Sequence, residues 1–123
     1  MRNFSKYIGL DYETHDCFAI VRDFYKDEYG VELLNYFDGQ TRPDKQTSEN
    51  LIKTNEGDFE KIEKEEFGAI VVINLYGYAC HIGVCLGDGK FLHSIRKIGS
   101  CIEPLSKYQR MIEGFYKHKG KQP

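Results

Sequence analysis

The sequence lacks both a long apolar run and a strong excess of charge of one sign. Across its 123 residues, 17 lysines and arginines oppose 19 aspartates and glutamates, which gives a formal net charge of -2. A balance this even gives no support for binding to nucleic acid or to an anionic membrane surface. Residues 1–10 lack the apolar segment of a signal peptide, and no run approaches the length that crosses a membrane. We therefore expect neither a nucleic-acid partner nor a membrane segment.

Cysteine is also sparse, with four residues in the chain: Cys17, Cys80, Cys85 and Cys101. Four thiols could form two disulfides, but a chain with 41% hydrophobic content can build its core without cross-links. We therefore expect reduced thiols. A zinc site that includes His81 is weakly supported, because the cysteines lack the paired C-x-x-C spacing of structural zinc sites. We expect no metal ion and no organic cofactor.

One stretch, DCFAIVRDFY at residues 16–25, has the pattern of an amphipathic helix. Apolar residues recur at the i+3, i+4 and i+7 positions counted from Cys17. The polar run Thr14-His15-Asp16 can cap the start of this helix, and Gly30 can end it after Tyr29. A cysteine in the first helical turn lies near the positive end of the helix dipole, which favours the thiolate. Cys17 is therefore either a nucleophile or a small core residue.

The rest of the chain favours an α+β fold in a single domain of residues 1–123. A polar insertion covers residues 38–66, with short helices possible at about 47–52 and 59–66 and a charged face exposed to solvent. Runs of β-branched and alternating residues then predict an antiparallel meander, with strands at 67–73, 81–86, 90–94, 98–102 and 111–117. A helix followed by such a meander is typical of the α+β class.

A cysteine nucleophile needs a base, and the base needs a group that orients it. Among the four histidines, His81 and His93 lie on neighbouring predicted strands, joined by the hairpin signal Gly87-Asp88-Gly89. A cysteine at a helix start with histidines on nearby strands is the papain-like arrangement. Without Cys17, the two residues would be interpreted as ordinary half-exposed strand histidines.

The run HIGVCLGDGKFLH at residues 81–93, together with Asp16-Cys17, resembles the NlpC-type cysteine peptidases. That family shows D-C, and then H-[VI]-G-[IV]-x-L-G-[ND]-G-[KR]-x-[IL]-H. The run FGAIVV at residues 67–72 is similar to the family's G-D-[LI]-V strand, with Ala69 where aspartate is usual. The resemblance covers nearly the whole chain outside residues 38–66.

This resemblance implies a papain-like α+β fold and a set of catalytic roles. Cys17 would be the nucleophile, His81 the base and His93 the residue that orients the imidazole. A tyrosine upstream of the cysteine, Tyr12 or Tyr7, would complete the site near the oxyanion. Family members mostly cleave bacterial cell-wall peptides by acyl transfer through a thioester. We also expect an imidazolium at His81 to stabilise a thiolate at Cys17.

The residues that follow the cysteine depart from the common family form D-C-S-G-[FL]. The run at residues 16–25 is more similar to D-C-[YW]-x-L-[IV]-R-D-[WY]-[YF], found in tail-assembly proteins of long-tailed bacteriophages. This implies a tail-tip or tail-assembly component, made in the host cytoplasm without a signal peptide and assembled into the virion. Its partners would be peptidoglycan peptides and tail-tip proteins. Two alternatives remain: a structural tail-tip subunit of the same fold, and an intracellular amidase or acyltransferase acting on a small substrate.

The pleat of the sheet restricts how His81 and His93 can meet. Side chains alternate between faces along a strand, so a regular two-residue turn would place the two histidines on opposite faces. An odd loop or a bulge restores a shared face. We expect a three-residue loop, Gly87–Gly89, that pairs Leu86 with Lys90 and leaves the histidines one diagonal apart.

Overall fold

The computed structural model describes residues 4–31, 59–75 and 78–118. In chain order, its elements are a 3-10 helix Ser5–Tyr7, α1 Cys17–Tyr29, β1 Phe59–Ile62, β2 Ile70–Leu75, β3 Tyr78–Gly87, β4 Lys90–Ile95, β5 Gly99–Pro104, a 3-10 helix Leu105–Met111 and β6 Ile112–His118. Within these residues, no helix is both long and apolar enough to cross a membrane. The short helix expected at 47–52, and most of the polar insertion, lie outside the described residues.

Helix α1 begins and ends where the sequence predicts. The carboxylate of Asp16 accepts a hydrogen bond from the backbone N–H of Ala19 at 2.9 Å, which caps the first turn. Gly30 adopts the left-handed conformation, with φ of 70°, and its N–H donates to the carbonyl of Lys26. Cys17 is therefore the first helical residue, as expected from the capping signal.

The six strands form one antiparallel sheet in the order β1-β6-β2-β3-β4-β5. Strands β2 to β5 form the expected meander, but β6 returns to pair with β2 instead of extending the sheet beyond β5. The helix expected at 59–66 is wrong, because residues 59–62 form β1 at the sheet edge. There Phe59 pairs with His118 and Ile62 with Phe115. Pairing with a distant strand overrides the local charge pattern.

Two layers of apolar side chains cover the sheet. Helix α1 packs against β3 and β4, and its buried face joins one core cluster, which includes Cys17, Phe24 and Leu92. A second cluster on the other side of the sheet contains Cys85 and Phe91. Cys17 and Cys85 therefore belong to different cores, although both are fully buried.

The β3–β4 hairpin has the predicted register before Leu86, but the expected pair of Leu86 with Lys90 and the three-residue loop are wrong. Its pairs are Val84 with Leu92, Cys85 with Phe91, and Gly87 with Lys90. The turn has two residues, Asp88 with φ of 55° and Gly89 with φ of 74°, which is the type I′ pattern. The extra residue is a bulge at Leu86, and it shifts the register by the one residue that the expected three-residue loop would have supplied. His81 and His93 consequently share one face of the sheet.

Candidate active site

His81 and His93 meet in the interior of the protein, as the shared face predicts. Nε2 of His81 lies 2.8 Å from Nδ1 of His93, and the two ring centroids are 5.0 Å apart. His93 has no exposed surface, and His81 is 7% exposed. Gly83 makes room for this contact, because a Cβ atom there would lie only 3.1 Å from the Cβ of His93. The half-exposed strand histidines of the alternative interpretation are not observed.

A third titratable residue, Glu103 on β5, contacts the ring nitrogen of His93 that does not face His81. Its Oε1 atom lies 2.8 Å from Nε2 of His93. The β4–β5 register pairs His93 with Cys101, so Glu103, two residues further on, lies on the same face as its diagonal neighbour. The hydroxyl of Tyr108 donates to the same oxygen at 2.7 Å, and Nζ of Lys107 donates to Oε2 at 2.5 Å.

The sequence analysis missed Glu103 as a site residue. It lies in the segment CIEP at residues 101–104, where a single glutamate carries no recognisable spacing to His81 or His93. Only the observed pairing of His93 with Cys101 brings it onto the face of the histidines. A correct prediction of the β4–β5 register would have been needed to identify Glu103 from the sequence.

The surroundings of His81, His93 and Glu103 favour two neutral imidazoles next to a charged carboxylate. Burial lowers the pKa of His81, and His93 lowers it further, although Glu103 acts in the opposite direction. Burial also lowers the pKa of His93 against the opposing effect of Glu103. Burial raises the pKa of Glu103, but hydrogen bonds from Lys107, Tyr108 and His93 outweigh it and bring the value to about 2. Burial and the neighbouring His93 therefore both disfavour a resting imidazolium at His81.

Cys17 and Tyr12 lie at the N-terminal end of α1. Cys17 is not in a disulfide and has no exposed surface, and its helix packs against the two strands that carry His81 and His93. Burial raises the pKa of Tyr12 to about 12, and the charges of Cys17 and Asp16 contribute to that rise. The Tyr12 phenol therefore stays protonated near neutral pH and can donate a hydrogen bond in the neighbourhood of Cys17.

Of the two tyrosines expected near the oxyanion, Tyr12 is the one whose pKa the charge of Cys17 helps to raise. The hydroxyl of Tyr7 donates instead to Asp27 at 3.3 Å and to Glu28 at 3.1 Å. Asp27 lies ten residues beyond Cys17, which is about 15 Å along the helix axis. Tyr7 is buried against Phe24 and serves the core rather than the site.

An open cleft borders Tyr12. It has a volume of about 540 Å³ and is lined by residues 9–13 and 96–99. The guanidinium carbon of Arg96 lies 5.6 Å from the centre of the Tyr12 ring. Asp11 and Glu13 supply negative charge in the same wall, and Lys97 adds positive charge next to Arg96. Among the candidate site residues, Tyr12 forms part of the cleft lining.

One group in the described part of the chain has the donor set of a metal site. The ligand atoms of His93, Cys101 and Glu103 lie within 4.8 Å of one another. In the structure the ligand atoms of Glu103 are already engaged, since its two oxygens accept hydrogen bonds from His93, Tyr108 and Lys107. The arrangement as it stands is a chain of hydrogen bonds rather than an open set of ligands.

Comparisons with known proteins agree with this architecture. The sequence profile of the NlpC/P60 family matches residues 4–118. The crystal structure of the NlpC/p60 domain of the peptidoglycan hydrolase SagA aligns with a TM-score of 0.61 and 16% identity, over 92% of this chain and 91% of that one. An NlpC/P60 family protein from Bacillus cereus aligns with a TM-score of 0.57 and 20% identity, over 84% of this chain and 31% of that one. A search of curated proteins found no match. The α+β fold predicted from the sequence is confirmed.

Proposed function

Since this chain belongs to the NlpC/P60 family, we propose that it is a cysteine peptidase that hydrolyses peptide bonds of peptidoglycan. In this proposal Cys17 is the nucleophile, His81 is the base and His93 orients His81. The observation that carries it is the buried contact of 2.8 Å between His81 and His93, on the strands against which α1 packs. The cleft next to Tyr12 would receive the peptide.

The proposed reaction proceeds by acyl transfer. Nδ1 of His81 takes the proton of the Cys17 thiol while the sulfur attacks the carbonyl carbon. The backbone N–H of Cys17 and the hydroxyl of Tyr12 donate to the oxyanion. The C–N bond then breaks, and His81 returns its proton to the departing amine. A water molecule deprotonated by His81 hydrolyses the thioester and regenerates the thiol.

The lowered pKa of His81 determines how the thiolate would form. Because burial and His93 disfavour the imidazolium, the thiol proton would move to His81 during the attack rather than before it. The resting site would then hold a neutral imidazole and a thiol, as in a general-base mechanism. Glu103 is the nearby negative charge that makes the transient imidazolium less unfavourable.

The finer part of the proposal is a role in a bacteriophage tail, where the peptidase would open the cell wall locally during infection. It is supported by the similarity of DCFAIVRDFY at residues 16–25 to the phage tail-assembly branch of the family. Tail-tip proteins would be its partners and would deliver it to the peptidoglycan. Inspection of the adjacent genes separates a tail operon from the metabolic operon expected for an intracellular amidase.

A second candidate is a structural tail-tip subunit of the same fold. The observation that favours it is the complete burial of Cys17, which a small core residue would also show. In this case the histidines would only stabilise the sheet, and no hydrolysis would occur.

Digestion of purified peptidoglycan, followed by mass analysis of the products, tests the proposal. Cys17→Ala should abolish hydrolysis with little loss of stability, because one sulfur atom is removed at a helix start. Cys85→Ala is the matched control, since it removes an equally buried thiol from the opposite core. Equal digestion by Cys17→Ala and the unmodified protein would refute the nucleophile. Absence of digestion by the unmodified protein would favour the structural subunit.

A further inference from the structure

We propose that Glu103 is a positioning residue that fixes the tautomers of both histidines and leaves Nδ1 of His81 as the proton acceptor. The catalytic meaning of this inference rests on the proposed function, whereas the tautomers themselves can be measured without it. The inference stands on the geometry of a single chain of contacts, from Glu103 through His93 to His81.

The direction of the hydrogen bonds follows from the acceptor at one end of the chain. An ionised carboxylate can only accept, so the proton between Glu103 and His93 belongs to Nε2 of His93. A neutral imidazole carries one proton, which leaves Nδ1 of His93 as an acceptor. That nitrogen must therefore receive its hydrogen bond from Nε2–H of His81. The remaining nitrogen of His81, Nδ1, is then unprotonated and able to take a proton.

Glu103 itself is held in place on both sides. Lys107 donates to Oε2, and Tyr108 donates to the same Oε1 atom that faces His93. The carboxylate is 17% exposed, and the His93 side chain is fully buried. The His93 ring lies between the rings of Phe91 and Tyr108, with centroid distances of 4.2 and 5.6 Å. Neither partner can rotate without breaking several contacts, so the direction of the chain is fixed.

An amide in place of the carboxylate should reverse this direction. In Glu103→Gln, the Lys107 ammonium can only donate, so it retains the amide oxygen as its partner. The amide N–H group then faces His93 and donates to Nε2. His93 must carry its proton on Nδ1 and donate to Nε2 of His81, which places the His81 proton on Nδ1. The nitrogen that should accept the thiol proton is then occupied.

The direct test is nitrogen NMR of the histidine rings in the full chain near neutral pH, with isotope-labelled histidine. In the unmodified protein we expect both rings to carry the proton on Nε2, and in Glu103→Gln both to carry it on Nδ1. Glu113→Gln is the matched control, because Glu113 also contacts a tyrosine hydroxyl, of Tyr116, and a lysine, Lys61. Its spectrum should match that of the unmodified protein.

Hydrolysis gives the second readout. For Glu103→Gln we expect kcat to fall at least about 100-fold, the lower range of general base catalysis, with KM within about threefold. Glu113→Gln should retain full activity. A ring proton on Nδ1 of His81 in the unmodified protein, or unchanged tautomers in Glu103→Gln, would overturn the inference. The expected tautomers without any hydrolysis by the unmodified protein would refute only the proposed peptidase. The spectrum of the unmodified protein tests the inference even if a variant fails to fold.

Discussion

Gly83 is the position where one added methyl group should separate the two histidines. A Cβ atom built there would lie 2.7 Å from the carbonyl oxygen of Leu92, 2.7 Å from Cδ2 of Phe91 and 3.1 Å from the Cβ of His93. All three neighbours lie on backbone or on fully buried side chains, so none can move aside alone. We therefore expect Gly83→Ala to push β3 and β4 apart.

The size of the effect follows from the shortest contacts. Relief of a contact at 2.7 Å to ordinary van der Waals distance requires a shift of roughly 1 Å between the strands. Overpacking of this kind costs about 1–3 kcal/mol in the free energy of unfolding. A displacement of about 1 Å between catalytic groups can lower the rate about 100-fold. Gly83→Ala should therefore lose more activity than its stability loss explains.

Denaturant unfolding and peptidoglycan digestion measure the two effects. Gly114→Ala, on β6, is the matched control, because the atoms nearest to a Cβ there belong to the flexible end of Lys61, at 2.7 Å, and to the Tyr116 ring, at 3.5 Å. The control should change the unfolding free energy by less than about 0.5 kcal/mol and leave hydrolysis unchanged. Equal stability and activity of Gly83→Ala and Gly114→Ala would refute the tight approach of the histidine strands.

Three further predictions concern the proposed catalytic groups. Iodoacetamide should alkylate Cys17 faster than the equally buried Cys85, because in the proposed mechanism His81 takes the thiol proton during the attack, whereas burial raises the pKa of Cys85; equal labelling of the two would make Cys17 a packed core thiol. The pH profile of kcat/KM should stay level as the pH falls through 6.5, because burial and the neighbouring histidine lower the pKa of His81; half-loss of activity near 6.5 would contradict this. Tyr12→Phe should lower kcat about tenfold or more with little change in folding stability, measured by the same digestion assay, and full activity would remove Tyr12 from the oxyanion site.

The sequence was sufficient for the elements whose signals are local. Asp16 and Gly30 lie at the two ends of α1, and each carries its own capping chemistry. The glycine-rich turn predicted the β3–β4 hairpin, and the requirement for one extra residue predicted its register. The loop itself was wrong, because a bulge at Leu86 supplies the extra residue as well as a longer turn does.

The elements that depend on pairing with distant strands could not be predicted from local sequence signals. The residues of β1 read locally as a charged helix, and only pairing with β6 makes them a strand. The return of β6 to β2 also depends on which sheet edge is available when the meander is complete. Local sequence patterns carry no information on that choice.

The residues of the candidate site also differ in whether local or distant segments determine their positions. The contact between His81 and His93 could be predicted because the hairpin that joins them is short, so its register determines their distance. The position of Glu103 depends on a second register, that of β4 with β5. It also depends on the 3-10 helix that follows, whose Lys107 and Tyr108 donate hydrogen bonds to the carboxylate. A carboxylate at residue 103 becomes part of the site only when all three segments are placed together. If Glu103 positions the histidines as proposed, the part of the chain that orients the proposed base is the part whose role the sequence alone does not reveal.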